Sequence, residues 1–326
     1  MEKPTELMQS WLSRIDGRSA RVAFADGDDE RVQAAAAHLA QLGITPILVS
    51  GSSPSGDRDG IETIHIDDLA AGAVGDEVHA LMRARGKSQE VASTYRHDAI
   101  YLAACLTRRG DVHATVAGSN SPTSHVLRAG LHVIGLAPGT TSLSSSFLLR
   151  MPDGRLFSFA DCGVIPEPTA EQLADIATSS ARTFADLTGS RPVVALLSFS
   201  TKGSAAHPSL DRLRRAHEIV SEREPELLID DELQFDAALV ESVGRRKAAD
   251  SPVAGHTNVF VFPDLASGNI GYKIAERLGG AQSFGPLLQG LTAVINDLSR
   301  GCSVEDIVNV SLISSLQALE SEDSPR

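Results

Sequence analysis

The amino-acid sequence predicts an α/β protein of two α/β/α domains with mostly parallel sheets. Three observations carry this. Residues 21–49 form a βαβ pattern, strand-like and helix-like stretches then alternate to the C-terminus, and 326 residues is about two domains of chain. Residues 21–25 (Arg-Val-Ala-Phe-Ala) read as a buried strand, and Asp26-Gly-Asp-Asp29 is turn and cap chemistry. Residues 30–42 form a helix with an alanine-rich face, Gly43 stops it, and 45–49 make a second strand. Such a unit favours a parallel sheet with right-handed crossovers.

The alternation continues. Residues 51–56 are a surface loop, 61–66 a strand, and 78–85 and 88–109 helices. A strand at 112–116, a helix at 123–134 and strands at 147–149 and 156–159 follow. Pro168-Thr-Ala-Glu171 opens a long helix over 169–187. Then come a strand at 192–199, a helix at 209–222, a short strand at 227–229 and a helix at 233–247. Residues 258–262 (Asn-Val-Phe-Val-Phe) are the most strand-like run. A helix at 271–278, strands near Phe284 and at 293–295, and a helix at 304–319 finish the chain. Residues 321–326 look frayed.

Composition excludes several classes. A net charge of -13 argues against sequence-independent nucleic-acid binding, which needs a basic footprint. Cys105, Cys162 and Cys302 are odd in number and widely spaced, which disfavours a disulfide scaffold or zinc knuckle and favours a reducing compartment. The first residues lack the basic start and apolar core of a signal peptide, and no apolar run approaches the ~18 residues of a membrane span. The expectation is a soluble, cytoplasmic protein with no membrane and no nucleic-acid partner. Of 29 cationic side chains only five are lysines, and arginine is the residue for two-pronged phosphate or carboxylate recognition.

In parallel α/β sheets ligands bind beyond the carboxyl ends of strands. Four loops rich in small polar residues fit that place: 118–125, 198–204, 263–269 and 296–303. Each offers backbone N–H groups at a helix start, which suits phosphate, although any βα turn uses the same residues for capping. No G-x-x-x-x-G-K-[ST], G-x-G-x-x-G after the first strand, H-E-x-x-H or G-x-S-x-G occurs, which argues against P-loop NTPases, dinucleotide dehydrogenases, zincins and serine hydrolases. Ser303 with Asp306 forms an S-x-x-D capping box, so the plain reading of Asp306 is a helix N3 residue.

The segments Pro286-Leu-Leu-Gln-Gly290, Asn296-Asp-Leu-Ser-Arg-Gly301 and Asp306-Ile-Val308 closely resemble the C-terminal signature of phosphate acetyltransferases. So do Asp161-Cys-Gly-Val164, Pro168-Thr-Ala-Glu171, Ser198-Phe-Ser-Thr-Lys-Gly203, Leu233-Gln-Phe-Asp-Ala-Ala238, Ser251-Pro-Val-Ala-Gly255, Phe262-Pro-Asp-Leu265 and Gly268-Asn269. Phe24-Ala-Asp-Gly-Asp-Asp-Glu-Arg-Val32 is similar to the family's first βα turn. The resemblance spans essentially the whole chain and is most specific from about residue 160 onward.

It implies an isocitrate/isopropylmalate dehydrogenase-like architecture without nicotinamide. The first domain would take residues 1–141 plus 287–326 and the second 142–286, with the active site in an interdomain cleft and a homodimeric assembly. The reaction implied is acetyl-CoA plus phosphate giving CoA plus acetyl phosphate. Coenzyme A would be a substrate, with no permanently bound cofactor and no metal. Asp306 matches the proposed base that deprotonates the CoA thiol. An ordinary aspartate, of pKa ~3.9, is a weak base for a thiol of ~8.5. Arg300 and Arg128 match the arginines that hold phosphate or acyl phosphate, and Ser299 the serine that stabilises developing charge. Lys202 and Ser204 are candidate phosphate contacts; Asn269 and Asp264 would shape the cleft wall. Cys162 sits where the family has a cysteine near the site, the plain reading being an apolar filler. His207 reads as a loop histidine.

Some positions depart from the family pattern. Met82 stands where an arginine is expected four residues before a glycine, with Arg83 beside it as a substitute. The motif 118–129 keeps Gly118 and Arg128 but loses a histidine and an acidic or amide residue, and His113-Ala114 replaces an acidic-Gly element. Two other readings therefore stand beside the acetyltransferase: a phosphate acyltransferase for propionyl or butyryl groups, and a catalytically weak CoA-binding or regulatory homologue.

Overall fold

The computed structural model describes residues 5–323, so residues 1–4, and 324–326 of the stretch expected to fray, lie outside the described residues. The chain divides into two compact units, Met1–Pro138 with Leu291–Arg326, and Gly139–Gly290.

In chain order the first unit holds α1 (Glu6–Ile15), β1 (Arg21–Phe24), α2 (Glu30–Gln41), β2 (Thr45–Ser50), β3 (Gly56–Arg58), β4 (Ile61–His65), α3 (Ile66–Ala71), α4 (Ala73–Ala84), α5 (Gln89–Thr94), α6 (Ala99–Arg109), β5 (Ala114–Ala117) and α7 (Thr123–Ala129). The second unit holds β6 (Ser144–Arg150), β7 (Leu156–Ala160), α8 (Ala170–Thr188), β8 (Val193–Leu197), α9 (Ser209–Arg223), β9 (Leu228–Leu233), α10 (Phe235–Leu239), α11 (Glu241–Lys247), β10 (Val259–Val261), α12 (Leu265–Arg277) and β11 (Gln282–Gln289). The chain then returns to the first unit with β12 (Val294–Asp297) and α13 (Val304–Asp323).

The first sheet has the order β12-β5-β1-β2-β4-β3. Every pair is parallel except β3 with β4. Short apolar runs explain its strands: Val22, Ala23 and Phe24 are fully buried, as are Ala114 and Ala117, which a parallel sheet covered on both faces demands. From β1 the chain moves outward to β2 on one side, while β5 lies on the other. The crevice at such a reversal is where open α/β sheets bind ligands. Parallel pairing brings the turns after β1, β5 and β12 out at one edge.

Local chemistry breaks some of the expected helices. The stretch expected as one helix over 88–109 ends at Thr94, passes through a tight turn at Tyr95–His97 and restarts at Ala99, because Asp98 caps the new helix through the N–H groups of Ile100 (3.1 Å) and Tyr101 (3.3 Å). The stretch 233–247 divides at Val240, and 123–134 ends as a helix at Ala129 before a wider turn at Gly130–Ile134. Residues 321–323, expected to fray, continue α13. Helix α1 carries no run of apolar residues, yet it buries Met8, Trp11 and Ile15 on one stripe, the i, i+3, i+7 spacing of a core-facing helix.

The second sheet has the order β11-β6-β7-β10-β8-β9. β6 pairs antiparallel with β7 and β11, and the other pairs are parallel. Helix α8 begins with a reciprocal capping box of Thr169 and Gln172, the arrangement that Pro168-Thr-Ala-Glu171 announces. Its core is aromatic: Phe157, Phe159, Phe260 and Phe262 sit among Leu149, Leu197 and Leu233. Among the described residues no helix is long and apolar enough to cross a membrane.

Candidate functional site

Three turns meet at the carboxyl edge of the first sheet. At the end of β1, Asp26 Oδ2 accepts from the backbone N–H of Gly118 (2.8 Å) and Ser119 (3.1 Å), which ties the turn after β1 to the turn after β5. Asp29 then caps α2 through the Arg31 N–H at 2.9 Å. The Arg31 guanidinium beside it holds the Asp29 carboxyl at about 2, well below the usual range.

Arg31 does more than pair with Asp29. Its Nη1 donates to the carbonyls of Arg300 (2.9 Å) and Cys302 (3.0 Å), and its Nη2 donates to the carbonyl of Ser119 (3.0 Å) and to Asp29 (2.7 Å). One planar fork thus fastens the turns after β1, β5 and β12, a task for the five fixed donors of arginine.

On this clamped turn Ser299 and Arg300 are exposed. Ser299 Oγ accepts from the Gly301 N–H at 3.3 Å. Among the described residues the Arg300 side chain has neither an ion-pair nor a hydrogen-bond partner, so its cation is available. Asp306 sits in the first turn of α13. Its Oδ2 accepts from both the N–H and the hydroxyl of Ser303 (2.8 Å each), and its own N–H donates back to Ser303 Oγ at 3.1 Å. The capping box is therefore formed, and Asp306 is also exposed beside the Ser299–Arg300 turn. Between them lies Cys302, whose thiol is pushed up by burial, with Arg31 opposing and Asp306 and Asp29 adding.

Arg128 is exposed on α7 and has no hydrogen-bond or ion-pair partner among the described residues. Met82 is fully buried in α4, so its position faces the core. Arg83 is exposed and donates to the Lys87 carbonyl at 2.6 Å. The cations closest in effect to Arg128 are others. Arg85 reaches the Leu131 carbonyl (3.3 Å), and burial first, then Arg85, Lys87 and Arg128, hold His132 below its ordinary value. His132 Nδ1 meets the hydroxyl of the buried Tyr101 at 2.9 Å.

The remaining candidates lie in the second unit with partners of their own. Lys202 Nζ pairs with Asp230 and with Asp231 at 3.1 Å. Ser204 Oγ meets Ser200 Oγ (3.1 Å) and accepts from the Thr201 N–H (3.0 Å). Asn269 donates to the Cys162 carbonyl (3.0 Å) and accepts from Lys273 (2.9 Å). Cys162 is fully buried, and burial raises its thiol well above the ordinary value. A side chain at Gly268 would overlap the Asp161 carbonyl, so glycine lets α12 approach this strand end closely. Asp264 caps α12 through the Ser267 N–H at 2.8 Å, and His207 bonds Ser209 on the surface.

Arg31, Asp26, Arg85 and Asp297, all on this edge or near Arg128, were not singled out by sequence. Only Asp26 has a local signal, the acidic turn Asp26-Gly-Asp-Asp29. A cavity of ≈ 290 Å³ opens elsewhere, at the other end of the strands, lined by Thr107, His113, Thr292 and Glu322. No group of three His, Cys, Asp or Glu side chains among the described residues is placed to hold a metal ion.

The carboxyl edge of a mostly parallel α/β sheet is where such folds bind ligands, and a free arginine there suits an anion. The chain matches the phosphate acetyl/butaryl transferase family over residues 6–315. It is 44% identical over 320 residues, covering 97% of this chain and 99% of the other, to a phosphate acetyltransferase from Paracoccus denitrificans. A crystal structure of a phosphotransacetylase from Streptococcus pyogenes superposes with a TM-score of 0.87 at 37% identity, covering 96% of this chain and 98% of that one. A 4-hydroxythreonine-4-phosphate dehydrogenase from Klebsiella pneumoniae, 12% identical with a TM-score of 0.54 over 92% of this chain and 99% of that one, shares the fold alone. The chain belongs to the phosphate acetyl/butaryl transferase family and is an acyltransferase.

Proposed function

We propose that this chain exchanges an acetyl group between coenzyme A and inorganic phosphate by direct attack, with CoA and acetyl-CoA as substrates. The CoA sulfur forms a bond to the acetyl carbonyl carbon, the carbon–oxygen bond to phosphate breaks, and phosphate leaves; the reverse makes acetyl phosphate. Asp306 takes the thiol proton as the sulfur attacks. Arg300 and Arg128 hold the phosphoryl oxygens, where a planar fork suits a tetrahedral anion. Ser299 donates to the oxygen on which charge develops. Holding both substrates together supplies a large share of the rate.

The observation that carries this reading is the Ser299–Arg300 turn. It is clamped from behind by Arg31, and it presents a cation that no carboxylate of the described chain neutralises. The free Arg128 and the buried position of Met82 support an active enzyme over a weakened homologue, because Arg85 and Lys87 bring positive charge near Arg128 without an arginine at position 82. We also propose a cytoplasmic homodimer. The exposed apolar stripe of Ile270 and Ile274 on α12 with Leu278 just past its end is the kind of surface a second copy covers. The test is a thiol-release assay with acetyl-, propionyl- and butyryl-CoA in phosphate. Release with acetyl-CoA, lost in R300A, supports the reading. No release with any of the three overturns it.

A further inference from the structure

Asp297 closes β12 and lies two residues before Ser299. It is 1 % exposed. Its Oδ2 accepts from the Thr123 hydroxyl at 2.6 Å, whereas its Oδ1 is buried with no hydrogen-bond partner. Thr123 is the first residue of α7, the helix that carries Arg128. Across the sheet, any side chain at Gly118 would overlap Asp297 Oδ1, and Gly118 has φ +109. The turn after β5 is thus shaped to let backbone lie directly against this carboxyl.

A buried carboxyl with an unpaired oxygen is expensive to keep, and ordinary strand-end turns do not need one. Its one side-chain bond joins two segments distant in sequence: the turn bearing Ser299 and Arg300, and the start of the helix bearing Arg128.

We propose that Asp297 is a positioning residue for acyl transfer, setting the start of α7 and hence Arg128 against the Ser299–Arg300 turn through its bond from Thr123. This rests on the reading that Arg300 and Arg128 hold the phosphoryl group. The bond needs only an acceptor oxygen at Oδ2, and a neutral group satisfies it as well as a charged one. Burial pushes the Asp297 carboxyl up to about 7, with Thr123 opposing and the Asp26 carboxylate adding. Among the titratable side chains described on β1, β5, α6, α7 and α13, that of Asp26, just beyond β1, is the one that acts on it. Near neutral pH the neutral acid is therefore well populated, and asparagine copies it.

The experiment compares wild type, D297A, D297N, T123V and R300A in the thiol-release assay with acetyl-CoA, with KM for phosphate and kcat taken separately and melting temperatures alongside. D297A and T123V are expected to lose about tenfold or more in kcat/KM for phosphate, the scale of sub-ångström misplacement of a binding group. D297N is expected within about threefold of wild type. T123V changes an exposed side chain and keeps the test valid if D297A folds poorly. Wild-type kinetics in T123V, or a D297N as weak as D297A, overturns the proposal. R300A separates the two levels: full activity there overturns the site reading itself, whereas its loss beside a normal T123V overturns only the role of Asp297.

Discussion

Arg31 holds the Arg300 main chain: its Nη1 donates to the Arg300 carbonyl at 2.9 Å, across 269 residues of sequence. The side chain of Arg300 is left free while its backbone is fixed. A flexible turn would have to be ordered by substrate at every turnover, and pre-fixing it removes that entropic penalty.

Lysine at position 31 keeps the charge but cannot reach four acceptors in a plane. R31K is therefore expected to lose about a hundredfold in kcat/KM, the scale of a displaced binding group, while still folding. Steady-state kinetics with phosphate varied checks this. Unchanged kcat/KM would remove the clamp from the mechanism.

Asp306 has two jobs that separate cleanly by mutation. S303A removes the hydroxyl of the capping box and leaves the carboxylate; about 1 kcal/mol of stability should go, with kcat nearly kept. D306N keeps most of the shape and removes the proton acceptor, so kcat should fall about 10²–10⁴-fold. Kinetics and thermal melts on both variants give the answer. Near-normal kcat in D306N would leave Asp306 a cap and nothing more.

Most strands were legible as short apolar runs between turn residues, as at Arg21–Phe24 and Thr45–Ser50, whereas the exposed, polar β3 (Gly56–Arg58) carries no such pattern. The helix over 88–109 was misread at Asp98, where a cap interrupts a continuous periodic pattern. Ser299, Arg300 and Asp306 stand out in the sequence only through the resemblance, and in the proposed site they share the β12–α13 turn and the helix start after it. Arg31 carries no local signal at all. Its function arises from three carbonyls that the fold delivers from residues 119, 300 and 302. Asp297 looks like any strand-end aspartate until burial and the Gly118 contact are seen.

Lys202 illustrates how a phosphate-like loop can be wholly occupied from within. K202A would remove the one lysine shared by two largely buried carboxylates, leaving Asp230 with the Ser251 hydroxyl and Asp231 with His217 at 3.8 Å, and removing one partner of a buried ion pair is destabilising. We expect a lower melting temperature with KM for phosphate changed less than about threefold. A raised KM at unchanged melting temperature would instead make Lys202 a substrate contact.

Cys162 should be silent. A fully buried thiol raised by burial offers little thiolate, so in the folded protein it should resist an aromatic disulfide reagent that labels it after unfolding. C162A should keep kcat within about threefold. Rapid labelling of Cys162 coupled to loss of activity would give it a place at the site.

Asp297 also sets a pH dependence of stability whose sign follows from its raised carboxyl. The unfolded chain releases this proton near pH 4 and the folded chain only near pH 7. Between those values the folded state binds more protons, so stability falls as pH rises. Its contribution is full below pH 4 and lost by about pH 7, at up to about 1.4 kcal/mol per pH unit. Asp29 acts oppositely. Held at about 2 by Arg31, it stabilises above pH 4 and loses that contribution as pH falls toward 2. Asparagine at 297 cannot titrate, so the stability of D297N relative to wild type should climb steadily from pH 4 to pH 7 and then level off. Denaturant melts of the two proteins in parallel across that range measure it. A difference that stays flat would mean that the Asp297 carboxyl releases its proton at the same pH in the folded and the unfolded chain.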